Sequence, residues 1–176
     1  MSNKGVFLIA RNNGHIDYVK QAVFLAKRIK RHLGVPVSVA TDSVDYLVDT
    51  FGTDDFDKII SLEFTNDTNL RYFFDGSLSK KTASFKNSNR AGVYDLTPYD
   101  ETIIMDTDYV VSNDLLKNCF ESDSDFMIYK ESDDIAKVRN EKEFKTISDT
   151  SVDFYWATVI YFRKTEANSI FFNLVK

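Results

Sequence analysis

The sequence predicts an α/β fold: a mostly parallel sheet flanked by helices. Three observations carry this. The strand-like segments are short continuous apolar runs rather than strict alternations, as in strands covered on both faces. Segments of helical spacing lie between them. The first strand, helix and strand are spaced as a βαβ unit, which implies parallel strands and a right-handed crossover. A length of 176 residues fits a single domain over residues 1–176.

The elements follow in order. Gly5-Val6-Phe7-Leu8-Ile9-Ala10 is the first strand, broken by Arg11-Asn12-Asn13-Gly14. Val19, Ala22, Val23, Ala26, Ile29 and Leu33 recur at helical spacing, with lysines and arginines mostly on the other side. Gly34 is the expected stop and Pro36 enforces it. Residues 35–40 form a second strand, 43–51 a short helix and 58–62 a third strand. Residues 63–84 read as polar and irregular around the aromatic knot Tyr72-Phe73-Phe74, and so long an irregular stretch is often functional. A helix is expected over 85–96, a fourth strand over 102–105, a short helix over 113–120 and a fifth strand over 125–129. A sixth strand, rich in aromatic and β-branched residues, covers 153–162. A last helix spans 164–176, with Ile170, Phe171 and Leu174 on one face.

Composition narrows the function. Hydrophobic residues make up 43% and aromatic residues 14%, enough for a packed core and against disorder. The net charge of −5 disfavours a broad clamp on a nucleic-acid backbone. The single Cys119 excludes an internal disulfide framework and fits a reducing compartment. No apolar run has the length of a membrane span, and the N-terminus lacks a signal-peptide core. A cytoplasmic location is the expectation.

In open α/β folds, ligands bind outside the carboxyl ends of the strands. That rule aims three segments at one site: the loop after Ala10, the residues after Ala40, and Asp106-Thr107-Asp108. The D-x-D pattern alone is weak. With 20 Asp in the chain, chance yields roughly two matches. Three occur, at Asp55/Asp57, Asp106/Asp108 and Asp123/Asp125. The first and last lie in polar turns. Only Asp106/Asp108 ends a hydrophobic strand and is followed at once by more apolar residues. Hard divalent cations take one or two carboxylates, with phosphate and water completing the shell. Such a cation neutralises a diphosphate leaving group. Mn2+ or Mg2+ held by Asp106 and Asp108 is therefore expected. Ser112 and Asn113 are available to cap the next helix, which weakens a capping role for Asp108.

Other residues near these strand ends carry two readings each. Arg90, sixteen residues before Asp106, contacts a pyrophosphate or sugar, or is an exposed helix arginine. Lys80, Lys81 and Lys86 are similar, weaker candidates. Tyr18 stacks on a base, or is a core or rim tyrosine. Asp42 accepts from a base N–H, or caps the next short helix with Ser43. His32, near a basic helix end, reads as a plain C-terminal cation. His15 faces the site without metal-ligand spacing. Cys119 reads as a packed core thiol. No Walker A, G-x-G-x-x-G or Ser-His-Asp arrangement is present.

The set Tyr18-Val19-Lys20-Gln21-Ala22, Arg90, Leu96-Thr97-Pro98-Tyr99 and Ile104-Met105-Asp106-Thr107-Asp108 resembles the GT-A-fold nucleotide-sugar glycosyltransferases. It is most similar to the glycogenin-like branch, family eight. The resemblance spans most of the chain, though only the strand with its D-x-D is specific. It implies a GT-A, Rossmann-like fold and a UDP-linked sugar donor. It also implies a base against Tyr18, main chain of Ala10, Arg11 and Asn12 at the base, Arg90 on the donor, and Asp106, Thr107 and Asp108 at the metal and ribose. Two departures stand out. Where the family has an Asn-x-Gly-Val element touching the donor sugar, this chain has Tyr155-Trp156-Ala157-Thr158-Val159. The family's third metal ligand, usually a His from a later segment, has no counterpart before Lys176. The reading is of a chain short at its C-terminus, with an apolar last helix that seeks a partner surface and supports a homo-oligomer.

Two functions from different classes follow. One is a metal-dependent glycosyltransferase acting on an unidentified acceptor, with retaining or inverting chemistry open. The other is a non-catalytic GT-A remnant that binds nucleotide-sugar or a partner protein. A nucleotidyltransferase of similar fold is less favoured, because the N-terminal loop lacks a Gly-rich signature bearing Lys or Arg.

Overall fold

The computed structural model describes residues 3–13, 15–63, 69–74, 80–85, 90–130 and 155–176. The element order is β1 (Lys4–Ala10), α1 (Tyr18–Leu33), β2 (Val37–Thr41), α2 (Val44–Phe51), β3 (Lys58–Ser61), β4 (Asn69–Phe74), β5 (Lys80–Phe85), α3 (Val93–Leu96), β6 (Glu101–Met105), α4 (Lys117–Glu121), β7 (Phe126–Tyr129), β8 (Trp156–Arg163) and α5 (Glu166–Leu174). Six strands form one sheet in the order β3-β2-β1-β6-β8-β7. β1 pairs in parallel with β2 and β6, and β2 with β3. β8 pairs antiparallel with both β6 and β7, so it alone runs against the other five. The expected mostly parallel α/β sheet is the observed one.

Alternation along the central strands explains why they read as continuous apolar runs. Val6, Leu8 and Ala10 of β1 join one core with Val37 and Val39 of β2, Ile103 and Met105 of β6, and the inner face of α1. Phe7, Ala40, Ile104, Ile160 and Phe162 point the other way and join Val93 of α3 and Phe172 of α5. Each strand thus buries both faces, which only a three-layer α/β arrangement allows. α1 ends at Gly34, whose φ of 66° is left-handed. Its N–H donates to the carbonyls of Ile29 and Lys30, the C-terminal closure expected there.

Several sequence expectations are corrected. Part of the stretch read as irregular is ordered, because β4 and β5 form an antiparallel two-stranded sheet of their own. Tyr72-Phe73-Phe74 is a run of aromatic strand formers, and its β propensity outweighs its polar flanks. Among the described residues, the helix expected over 85–96 is Val93–Leu96, begun at Gly92, and Phe85 closes β5; residues 86–89 lie outside the described residues. The helix over 113–120 contracts to Lys117–Glu121. The last helix is shorter, capped by Thr165, whose hydroxyl accepts the Asn168 N–H. It buries Phe172, whereas Ile170, Phe171, Leu174 and Val175 are exposed. That apolar surface is where the expected self-association would act. Among the described residues, no helix is long and apolar enough to cross a membrane.

One close approach fixes how β6 is entered. Tyr99, just before β6, is fully buried, and its hydroxyl lies 2.6 Å from the Ser38 hydroxyl on β2. Its ring lies against Gly5 of β1 so closely that a Cβ there would stand 2.5 Å from the ring. Burial pushes the Tyr99 phenol up to about 12. Gly5→Ala is therefore an overpacking substitution. It should cost about 1–3 kcal/mol in chemical denaturation, and Gly5→Ala in a Tyr99→Leu background should cost clearly less.

Candidate functional site

The strand order reverses at β1: β2 and β3 lie on one side of it and β6 on the other. Such a switch point leaves a crevice at the carboxyl ends of the strands. Register places Ala10 beside Thr41 and Leu8 beside Met105. The loop after β1, the residues after β2 and Asp106-Thr107-Asp108 therefore open at one end of the sheet, as the sequence predicted.

The first turn of α1 faces the D-x-D. Tyr18 is its first residue, half-buried against the core. Burial first, then the charges of Asp108 and Asp106, push its phenol above the usual value. The ring thus lies within electrostatic reach of both acids. Gln21, one turn on, accepts the Thr107 hydroxyl at 3.2 Å. Thr107 is buried, while Asp108 is exposed and Asp106 is partly so.

Arg90 pairs with Asp106. Its Nη1 donates to the Asp106 carboxylate and its Nη2 to the carbonyl of Ala157. The side chains are 26% and 37% exposed, so solvent reaches the pair without dissolving it. Its Nε is buried and has no partner among the described residues. The Ala157 contact locates the Tyr155-to-Val159 stretch. β8 runs antiparallel to β6 with Met105 opposite Val159, and the Asp106 N–H donates to the Thr158 carbonyl at 3.0 Å. The Trp156 indole N–H donates to the Tyr109 hydroxyl at 3.3 Å, and that hydroxyl lies 2.5 Å from the Thr158 hydroxyl. The segment standing where the family resemblance places a donor-sugar contact is thus bonded directly to the D-x-D loop.

Arg11 and Asp42 meet. The Arg11 Nε donates to the Asp42 carboxylate at 3.3 Å, with side chains 1% and 4% exposed. Ser43 donates its hydroxyl to the other Asp42 oxygen at 3.1 Å and begins α2 without a side-chain cap bond. The expected Asp42–Ser43 cap is therefore not formed, because a buried arginine claims the carboxylate. Asn12 is spent locally too. Its Oδ1 accepts the Val19 N–H at 3.0 Å and its Nδ2 donates to Asp17 at 3.3 Å. The loop 10–12 offers a ligand main chain rather than side chains.

Sequence reading missed Asp17. It is the N-cap of α1, accepting the Lys20 N–H at 2.9 Å, and the Tyr46 hydroxyl donates to it at 2.7 Å. The signal was an Asp immediately before the first helical residue. Trp156, Tyr109 and Gln21 were missed as neighbours of the D-x-D because only β8 pairing and α1 docking bring them there. Among the remaining candidates, the side chains of Lys80 and Lys81 and all of Lys86 lie outside the described residues. Asp123 and Asp125 are exposed in a bend, and Asp55 pairs with Lys27 at 3.5 Å. His32 lies in the basic last turn of α1, as expected, where burial, then Arg28 and Arg31, lower its pKa. Burial pushes the Cys119 thiol up, consistent with packing rather than reactivity. Among the described residues, no three His, Cys, Asp or Glu gather as a metal-binding group.

The fold has known counterparts. Residues of this chain superpose over 99% of their length on the glycosyltransferase GlyE of Streptococcus pneumoniae TIGR4, with a TM-score of 0.52 and 14% identity. They do so on the 4-diphosphocytidyl-2C-methyl-D-erythritol synthase of Anaerococcus prevotii DSM 20548, with a TM-score of 0.52 and 12% identity. The bifunctional IspDF of Campylobacter jejuni gives 0.51 and 10% over the same share. The chain spans 37% of GlyE, 47% of IspDF and 75% of the Anaerococcus enzyme. Neither a protein-family model nor a curated protein matches it.

Two stability predictions follow. Asp42→Ala removes the carboxylate paired with the buried Arg11 and should cost about 3–5 kcal/mol, whereas replacing both residues by leucine should cost far less; urea titrations of the three proteins decide it. Burial pushes the Asp17 carboxyl up, but hydrogen bonds from Lys20, Tyr46 and Asn12 and the Lys20 charge outweigh this and hold it below its ordinary 3.8. A depressed carboxyl contributes stability above its unfolded pKa and loses it as pH falls through the folded value. Asp17→Ala should cost about 0.5–2 kcal/mol at pH 7, and the gap to the parent protein should narrow below pH 3.8 in thermal melts.

Proposed function

We propose that this chain binds a nucleoside diphosphate-linked sugar, a UDP-sugar, at the β1/β6 switch point and transfers the sugar to an acceptor. The observation that carries the reading is the placement of Asp106 and Asp108 at the carboxyl end of β6, facing Tyr18 across the crevice. The two carboxylates fit a hard divalent cation, Mn2+ or Mg2+, that draws its other ligands from diphosphate and water. Asp106 and Asp108 would hold it, and its charge would offset that of the departing diphosphate. The chain's own groups do the remaining work. Main chain at Ala10, Arg11 and Asn12 borders the base, Tyr18 offers it a ring, and Arg90 supplies a forked cation for phosphate. Trp156 and Tyr109 bound the sugar side. The glycogenin-like branch is the family this assignment follows.

Nucleotidyl transfer is a second reading, raised by one structural neighbour whose name is a 4-diphosphocytidyl-2C-methyl-D-erythritol synthase. A triphosphate needs cationic groups on the loop after β1. Between residues 11 and 17 the sequence offers only Arg11 and His15, and Arg11 is buried against Asp42. That favours the sugar donor. A non-catalytic remnant differs from both in leaving the donor intact.

Calorimetry with UDP-sugars, UDP and CTP, with and without Mn2+, followed by a donor-hydrolysis assay, tests the assignment. Mn2+-dependent UDP-sugar binding with slow hydrolysis is expected; preference for CTP, or binding without turnover, overturns it. Asp108→Asn should abolish the Mn2+-dependent part of binding without lowering the melting temperature. Tyr18→Ala should weaken UDP and UDP-sugar alike by about 1–2 kcal/mol, the loss of one stacked ring.

A further inference from the structure

Arg90 holds an arrangement that is incomplete on one side. Its two terminal nitrogens are occupied, by the Asp106 carboxylate and the Ala157 carbonyl. Its Nε is buried with no partner among the described residues. A buried N–H without an acceptor is costly, and more so on a charged group. An arginine fork is fully used when Nε and a terminal nitrogen engage two oxygens of one anion. Asp106 supplies an acceptor to Nη1 only. A phosphate group offers several oxygens and would satisfy the neglected edge.

The same pairing affects the acid. Asp106 already has a counter-charge, and a cation seeking its carboxylate must compete with Arg90. Asp108 is exposed and has no such competitor among the described residues. The half of the site that discriminates is therefore Asp106.

Resting on the sugar-donor reading above, we infer that Arg90 is an exchangeable counter-ion. It holds Asp106 while the site is empty, and it passes to the donor diphosphate when a divalent cation takes that carboxylate. The exchange couples the two ligands. The cation alone must displace an arginine that has nowhere better to go. The diphosphate alone must draw Arg90 from Asp106 and give up that ion pair. Together each supplies what the other removes, so each strengthens the other's binding, and by linkage the factor is the same in both directions. Arg90 is thus a positioning residue whose effect differs in sign for the two ligands. A purely structural arginine would lower both affinities together.

The test is calorimetry with Mn2+ alone, UDP alone, and each at saturating levels of the other. In the parent protein the mutual enhancement should be about 5–150-fold, the usual range of coupling between sites. Arg90→Gln should bind Mn2+ alone more tightly than the parent, bind UDP more weakly, and show enhancement reduced toward unity. Arg90→Lys keeps the competing charge and loses the fork. It should match the parent for Mn2+ alone and fall below it for UDP with Mn2+. Arg90→Gln that binds Mn2+ alone no better than the parent overturns the exchange. Should Arg90→Gln fail to fold, Arg90→Lys decides: parental UDP affinity in the presence of Mn2+ overturns the proposal. A parent protein that binds neither UDP nor Mn2+ in any combination removes the sugar-donor reading itself. Binding with additive, uncoupled affinities removes only the exchange.

Discussion

Parallel pairing of β1 with β2 on one side and β6 on the other sends the connections to opposite faces of the sheet and parts the loops at its carboxyl end. The crevice so formed costs nothing beyond the strand order, and Tyr18, Asp42, Asp106 and Asp108 lie around it. That order is itself held by packing. Tyr99 threads under Gly5 and meets Ser38, so the residue entering β6 touches both β1 and β2. The placement of Asp106 at the crevice follows from how tightly Tyr99 seats seven residues earlier.

Charge is the second constraint. A strand end carrying two acids, beside a loop carrying an arginine next to an aspartate, could scatter charge through a low-dielectric interior. The structure sorts it instead. Arg11 and Asp42 neutralise each other where they are nearly inaccessible, which is stable only as a pair. Asp106 is compensated by Arg90 at an accessible position, where a pair can be broken and remade. Asp108 faces solvent. The three acids share a neighbourhood, yet their burial differs: Asp42 is closed off in its pair, while Asp106 and Asp108 reach solvent.

β1, α1 and β2 were legible from sequence because each signal is local. An apolar run, a helical period and a Gly34 stop need no tertiary information, and the D-x-D stood out by its apolar flanks. The sixteen-residue spacing of Arg90 from Asp106 also proved to be a contact. What escaped depended on distant partners. Asp42 looked like a cap because Ser43 follows it, and only the β1–β2 register brings Arg11 to claim it. Tyr109 and Trp156 are separated by 47 residues and meet through β8. The aromatic segment before Phe74 showed strand propensity, but no sequence period says which strand will pair with it. On α5 the apolar residues outnumber the buried positions, so spacing could not tell that Phe172 would face the core and Ile170 and Leu174 would not.

On the proposed nucleotide-sugar reading, a bound nucleotide offers two atoms for attack. The choice between them is a matter of where positive charge can reach. Attack at the α-phosphorus of a triphosphate calls for cations on the loop after the first strand, ahead of α1. Departure of a diphosphate from a sugar carbon calls for charge farther out, beyond the β-phosphate, where the β6 end lies. In this chain the loop after β1 has its arginine turned inward against Asp42, while the β6 end carries two acids and an accessible arginine beside them. On the proposed sugar-donor reading, that distribution sets charge where a departing diphosphate would need it.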